Sequence, residues 1–473
     1  MSISPMSLEL AANYFHAGRT YQESQQIYSA IVSYEKSLQL DPHQAEVWHE
    51  LGLGYCECDR YQEGIICYLE ALFIQMDNRF FTSLVTVLLK IGRISEAEEA
   101  SASIISNQLL LDFYPLSLDQ HLNFTKDHDL INGKHQQVFS ADTLSLTPPI
   151  NLDNFHPTFL RKEVKFPAAT VTSLWHGKAI ATDWASVVMT SEDKFLPEIS
   201  TGRSNWLFLL KDKPELKIVP GRVLALARWG GLKYFHWLGE VFSACYLVTL
   251  AGIDLTTIDY FLVNSPFPAY QQEMLAVLGI NQDKILMTSS YAYIQAEELI
   301  IPYYGNVDGW FPKLAVDFLK NIFLPDRSRD LSYLPKRVYL SRSQVSYRQV
   351  INEQEIRDFL ESLGFVTIIP ESLSMAEQVD LFSQVEIIVS PHGAGLTNAM
   401  FCAKGTKVIE LFTPDYVYGC FWAIASQVGL DYYYLVSQAR GSDRPQPQDL
   451  IHPCYRDIYV DIPQLQQLLA QII

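Results

Sequence analysis

The sequence is short of basic residues, of paired cysteines and of long apolar runs, and each shortage removes a class of function. Thirty-five Lys and Arg stand against 53 Asp and Glu, a formal net charge of −18, so no broad cationic footprint is offered to nucleic acid or to an anionic membrane. A local basic pocket for phosphate remains compatible with that balance. The longest apolar run, residues 241–253, falls short of the ~20 residues that span a bilayer; it reads as a buried helix, and no transmembrane segment is expected. Residues 1–10 hold no apolar core of signal-peptide length, and the first basic residue is Arg19, so a cytoplasmic location is expected. Seven cysteines, an odd number without a Cys-x-x-Cys pair, fit a reducing compartment and give no zinc spacing. Cys56 and Cys58 read as helix packing. The eleven histidines include no His-Glu-x-x-His run, so no metal site is expected.

What is present centres on residues 386–398. Ile387, Ile388 and Val389 form a short β-branched run, the pattern of a buried parallel strand. Pro391 stops it. His392-Gly393-Ala394-Gly395 is then a turn with two residues able to take positive φ and no bulky side chain to keep a ligand off the backbone. A helix is expected next, its first turn formed by Gly395, Leu396, Thr397 and Asn398. Such a terminus leaves N–H groups unpaired and suits a phosphate or diphosphate. Gly-x-Gly after a strand also serves plain helix–strand packing. Asn398 stands where the third glycine of the dinucleotide fingerprint would be, so NAD is not the first choice.

Residues 1–110 carry a repeat at an offset of 34. Gly18 and Gly52, Ala30 and Gly64, and Tyr34 and Tyr68 pair at that spacing, and Asp41-Pro42 closes the first unit. Trp48-x-x-Leu51-Gly52-x-x-Tyr55 with Tyr68 and Ala71 resembles a tetratricopeptide repeat, and a degenerate third unit runs through Gly92 to Ala97. The expected product is an all-α module with a concave groove, serving either packing or a protein partner. Residues 111–330 open with a connecting region, where Pro115, Pro148, Pro149 and Pro157 break any long helix. Strand-like runs at 206–210, 223–227, 261–263, 285–286 and 299–301 then alternate with helical stretches, as in a Rossmann-like lobe. A loop at 306–310 and a linker at 325–330 end it. Over residues 331–473, strands at 337–340, 365–369, 387–389 and 407–411 alternate with helices that have N-cap signatures at Asn352 with Glu355 and Ser374 with Glu377. This predicts a second Rossmann-like lobe, with Arg342, His392 and Glu410 converging at its strand ends. The last helix has a stripe of Leu465, Leu468, Leu469 and Ile472, and fold-level analogy has it crossing back to the first lobe.

A helix from Lys233 would carry Tyr234, Leu238, Val241, Phe242 and Cys245 as its apolar stripe, with His236 and Glu240 sharing another face. That pair is either a packed hydrogen bond or, just past Gly230-Gly231, a general base in the mouth of a cleft. Arg342 and Arg348 suit a diphosphate, and Glu410 suits ribose hydroxyls. Surface salt bridges are the alternative for either arginine.

Four runs together carry a resemblance: Tyr234-Phe235-His236-Trp237; Leu340-Ser341-Arg342 with Arg348 and Asn352-Glu353; Ser390-Pro391 through Asn398; and Gly405-Thr406-Lys407-Val408-Ile409-Glu410-Leu411. They resemble glycosyltransferase family 61, which includes EGF-domain O-GlcNAc transferase, protein O-mannose N-acetylglucosaminyltransferase and plant xylan xylosyl- and arabinosyltransferases. The likeness covers residues 222–411. It implies an α/β chain with a GT-B-like pair of Rossmann-like lobes behind the tetratricopeptide-repeat module, a nucleotide-sugar donor (UDP-linked), inversion at the anomeric carbon, no cofactor and no metal. The implied acceptor is a hydroxyl on a glycan or protein. By this likeness Arg342, Arg348, His392, Gly393, Ala394, Gly395, Leu396, Thr397, Asn398 and Glu410 sit at the donor, and His236 and Glu240 lie across the cleft, one of them taking the acceptor proton. The repeat module and the lack of a signal segment depart from the eukaryotic members and point to a bacterial-style cytoplasmic enzyme. Two rivals remain. One is a non-catalytic repeat-bearing adaptor whose transferase-like domain binds nucleotide or glycan. The other is an NAD-linked oxidoreductase, which would need a glycine fingerprint that Gly230-Gly231 does not provide.

Overall fold

The computed structural model describes residues 5–103, 105, 107–113, 132–150, 156–183, 185–202, 204–209, 213–305, 309–324, 330–414, 416–437 and 456–473. The chain is mixed α/β and forms two compact units, Met1–His121 with Arg203–Pro214, and Leu122–Gly202 with Glu215–Ile473. No described helix is long and apolar enough to cross a membrane. Residues 306–308 of the loop expected at 306–310, and residues 325–329 of the linker expected at 325–330, lie outside the described residues.

The first unit is a tetratricopeptide-like stack of helix pairs: Pro5–Glu23 with Ile27–Leu40, Ala45–Glu57 with Tyr61–Ile74, and Asn78–Lys90 with Ile94–Ser101. The 34-residue pairing has a steric cause. A Cβ on Gly18 would come within 2.4 Å of the Tyr34 ring, and one on Gly52 within 2.6 Å of the Tyr68 ring, so in each pair an aromatic ring closes on bare backbone. The turns repeat as well: Gln25, Asp59 and Gly92 take left-handed φ values of 57°, 59° and 78°. The run near Trp206, expected as a strand, is instead the helix Ser204–Leu209, and it belongs to this unit. An apolar run this short has no periodicity that separates a strand from a buried helix.

The second unit holds two Rossmann-like sheets, the first mixed and the second parallel. In the first, β1 (Leu216–Ala225), β2 (Tyr260–Val263), β3 (Ile285–Met287) and β4 (Tyr293–Tyr303) run parallel in the order β3-β2-β1-β4. Antiparallel strands, among them Ala169–Trp175 and Lys178–Ala181, extend this sheet beyond β4. In the second sheet, β5 (Arg337–Leu340), β6 (Val366–Ile368), β7 (Ile387–Pro391), β8 (Lys407–Phe412) and β9 (Asp431–Val436) run parallel in the order β6-β5-β7-β8-β9. Every residue of β7 is buried, as its apolar run requires of a strand covered on both faces. One apolar core passes through both lobes and joins Trp237 and Phe311 to Phe382, Phe401 and Phe421.

The region expected only to connect contains strands: Gly133–Phe139 joins the first sheet, and Asp142–Ser145 pairs with Glu163–Phe166. Residues 146–150 and 156–160 run as a strap along the second lobe. Ile150 N donates to Tyr432 O at 2.8 Å, Trp422 Nε1 to Thr147 O at 2.6 Å, and Thr158 Oγ1 to Val417 O at 3.1 Å. The strap makes the crossing that was expected of the last helix. Helix Ile462–Leu469 instead buries Leu465, Leu468 and Leu469 against Tyr339, Ile356 and Ile387 of its own lobe. An apolar stripe requires a covered face but does not name the cover.

Candidate functional site

Both sheets bring their strand ends to one cavity. Strand order reverses between β1 and β4 in the first sheet and between β5 and β7 in the second, and loops leaving such a switch point diverge to open a crevice. Residues following these strands, Arg228, Trp229, Tyr304, Arg342 and His392, line a single cavity of about 540 Å³.

The first wall is a helix that starts at Tyr234, widens to a π-helix over Trp237–Phe242 and continues as Ala244–Leu250. Such widening concentrates at functional sites. Gly239 sits in it, so close to Phe311 that a Cβ would lie 1.9 Å from the ring. The expected apolar stripe is buried except for the half-buried Tyr234, but Trp237 and Ala244, off that stripe, are buried too, because the helix runs through the core shared by both lobes. His236 and Glu240 both line the cavity, with Nδ1 2.6 Å from Oε1. The imidazole is clamped by three neighbours. These are that carboxylate, the Trp229 indole edge-on at 4.6 Å, and Gly230, whose φ of 73° lays backbone where a Cβ would come within 2.8 Å of the ring. Among the described residues, His236 Nε2 and Glu240 Oε2 have no hydrogen-bond partner.

On the second wall Arg342, 8% exposed, lies against Gly393, where a Cβ would come 2.1 Å from Nη1, and it donates from Nη2 to Tyr347 O at 3.2 Å. Gly393 is extended, with φ −177°, and Gly395 does not take positive φ either. The glycine at 393 is needed for close approach of the guanidinium, which corrects the expectation of a left-handed turn. Burial, and then the Arg348 guanidinium, push Arg342 down to about 10. Arg348 has φ 53° and lies over the rings of Tyr347 at 5.0 Å and Tyr416 at 5.7 Å. Among the described residues neither arginine forms an ion pair.

His392 is buried, with Nδ1 hydrogen-bonded to Glu410, whose other oxygen accepts from the Tyr432 hydroxyl. Burial, then Arg348 and Arg342, hold the imidazole well below its usual range, so it is neutral. Burial pushes the Glu410 carboxyl well above the carboxylate range. The contact leaves Nε2 as the ring nitrogen not engaged by Glu410.

The sequence-predicted residues divide at this point. His236, Glu240, Arg342, Arg348, His392, Gly393 and Ala394 share the cavity, whereas Gly395, Leu396, Thr397, Asn398 and Glu410 do not line it. Glu410 is fully buried, with one oxygen on His392 and the other on Tyr432. Ala394–Phe401 is a 3-10 helix in which the Leu396 N–H is already taken by Gly393 O at 3.0 Å. Asn398 spends its polar atoms inside the protein: Oδ1 accepts from Tyr234 OH at 2.7 Å and the amide donates to Gln378 Oε1 at 2.6 Å. Sequence reasoning missed Arg228, which is buried, donates to Pro302 O at 3.1 Å and is held below its usual range by burial, an effect the Glu240 carboxylate opposes. The strand-end rule that found Arg342 would have found it. Nothing local marks Tyr347 or Trp310 as lining residues in a chain with 26 Tyr and 8 Trp.

Residues 234–409 match the family model described as Glycosyltransferase 61. Protein O-linked-mannose beta-1,4-N-acetylglucosaminyltransferase 2 of Bos taurus is 28% identical over 268 residues, covering 46% of this chain and 45% of that protein. The Mus musculus protein of the same name is 27% identical over the same shares. The chain thus spans a little under half the length of these curated relatives. Among solved structures, the first TPR of Spaghetti (RPAP3) bound to an HSP90 peptide is similar over 24% of this chain and 84% of that chain, at 13% identity and a TM-score of 0.20.

Proposed function

We propose, from the premise that residues 234–409 are a glycosyltransferase 61 domain, that the chain moves a sugar from a UDP-linked donor to a hydroxyl of a glycan or protein. One observation carries this reading: the His236–Glu240 pair of one lobe meets Arg342, Arg348 and His392 of the other in a single cavity. The lobes are then the halves of a GT-B arrangement, the first for the acceptor and the second for the nucleotide.

The reaction is a single displacement. The acceptor hydroxyl gives its proton to the His236–Glu240 pair while its oxygen attacks C1 from the face opposite the diphosphate. The bond from C1 to the β-phosphate oxygen breaks, the electron pair leaves with UDP, and the anomeric centre inverts. Arg342, Arg348 and His392 meet the charge growing on the β-phosphate, where preorganised donors in a desolvated site are most effective. Guanidinium groups supply the compensation that a divalent cation supplies elsewhere, so the reaction is proposed to run without a metal. Calorimetry of UDP binding in EDTA tests this. The intact protein is expected to bind, and Arg342→Ala to bind at least about tenfold more weakly, a loss of about 1.4 kcal/mol. No binding by the folded protein at millimolar UDP overturns the reading.

A further inference from the structure

Lys233 is the last residue before the Tyr234 helix, and it lines the same cavity as Arg342, Tyr347 and Arg348 of the opposite lobe. Two contacts fix its backbone. Its N–H donates to Gly230 O at 2.7 Å, and the next residue, Tyr234, is tied through its hydroxyl to Asn398 across the lobes. The side chain is exposed, and among the described residues its ammonium has no carboxylate or hydrogen-bond acceptor. Across from it, Arg342 and Arg348 lie 5.2 and 5.0 Å from the centre of the Tyr347 ring. Burial alone would raise the Tyr347 phenol, yet Lys233 foremost, then Arg348 and Arg342, hold it below its ordinary value. Three cations thus surround one phenol in a chain of net charge −18. Like charges gathered in a partly desolvated cavity repel unless an anion joins them.

We propose that Lys233 is a substrate-contacting residue, the third cation of a diphosphate site, reaching it from the lobe that carries His236 and Glu240. Two guanidiniums on one side and an ammonium on the other bracket a ligand with charge on two adjacent phosphates, and Lys233 takes the terminal one. In the transfer reaction that is the phosphate on which leaving-group charge grows. The inference rests on the reading of the cavity as a nucleoside-diphosphate-sugar site and adds to it a residue, a direction of approach and a preference for diphosphate over monophosphate.

The test is calorimetry of UDP, UMP and inorganic pyrophosphate with the full chain and with Lys233→Gln and Lys233→Arg. The expected result is a roughly tenfold loss of UDP and pyrophosphate affinity in Lys233→Gln, about 1.4 kcal/mol, with UMP changed less than about twofold and Lys233→Arg keeping most of the affinity. Equal losses for UDP and UMP, or no loss, overturn it. The pyrophosphate arm separates the two claims. Binding of pyrophosphate but not UDP by the unsubstituted chain sinks the nucleotide reading while still testing Lys233, and binding of neither sinks both.

Discussion

His392 and Glu410 are shifted in opposite directions by burial, and this makes their pH dependence unusual: the imidazole is lowered from its ordinary 6.5 and the carboxyl is raised from its ordinary 4.5. The two shifts oppose each other. The lowered imidazole makes stability rise with pH up to about 6.5, and the raised carboxyl makes it fall as pH rises from about 4.5 through its folded value. Glu410→Gln removes the carboxyl and with it the opposing shift. The folded variant then binds no proton on His392 where the unfolded chain binds one, and its stability falls as pH drops through about 6.5. Urea midpoints compared at pH 5 and pH 7 check this. A variant no more sensitive than the unsubstituted protein would show that the two shifts do not oppose each other.

At the scale of elements, two glycines with similar clashes predict different outcomes. A Cβ on Gly393 meets the far end of the Arg342 side chain, and one on Gly239 meets the rigid Phe311 ring. Gly393→Ala should displace the guanidinium, weakening UDP binding roughly tenfold with little change in Tm. Gly239→Ala should overpack the core, costing about 1–3 kcal/mol in thermal stability. Calorimetry and a melting curve on each variant separate the two effects, and equal melting losses would refute the distinction. The same contrast shows what the sequence made legible. The alternating strands of the second lobe could be read because buried parallel strands are short apolar runs, and Arg342 and His392 because ligands collect at strand ends. The purpose of Gly393 could not be read, since it depends on a guanidinium 51 positions earlier (393 against 342). The place of Glu410 and Asn398 could not be read for a related reason: a polar residue lining a cavity and one satisfied behind its wall look alike until their partners, Tyr432 and Tyr234, are known. Helix Ser204–Leu209 was misread because its length carries too little periodicity.

For the whole second unit, the shared apolar core implies that the two lobes stand or fall together. Tyr234→Phe removes the hydroxyl that reaches Asn398 Oδ1 across the lobes and leaves that buried acceptor unpaired, at about 1–3 kcal/mol. Hydrogen exchange should then quicken in the amides of β1–β4 and β5–β9 alike, and a change confined to one sheet would show that the lobes open independently. The strap adds a matter of timing. Thr147 accepts from Trp422, 275 positions later in the chain. At 5–20 residues per second, synthesis takes roughly 14–55 s to bridge that gap. Through that interval the strap has no lobe to lie on, so the segment leading into the first sheet waits for its seat until the second lobe has been made.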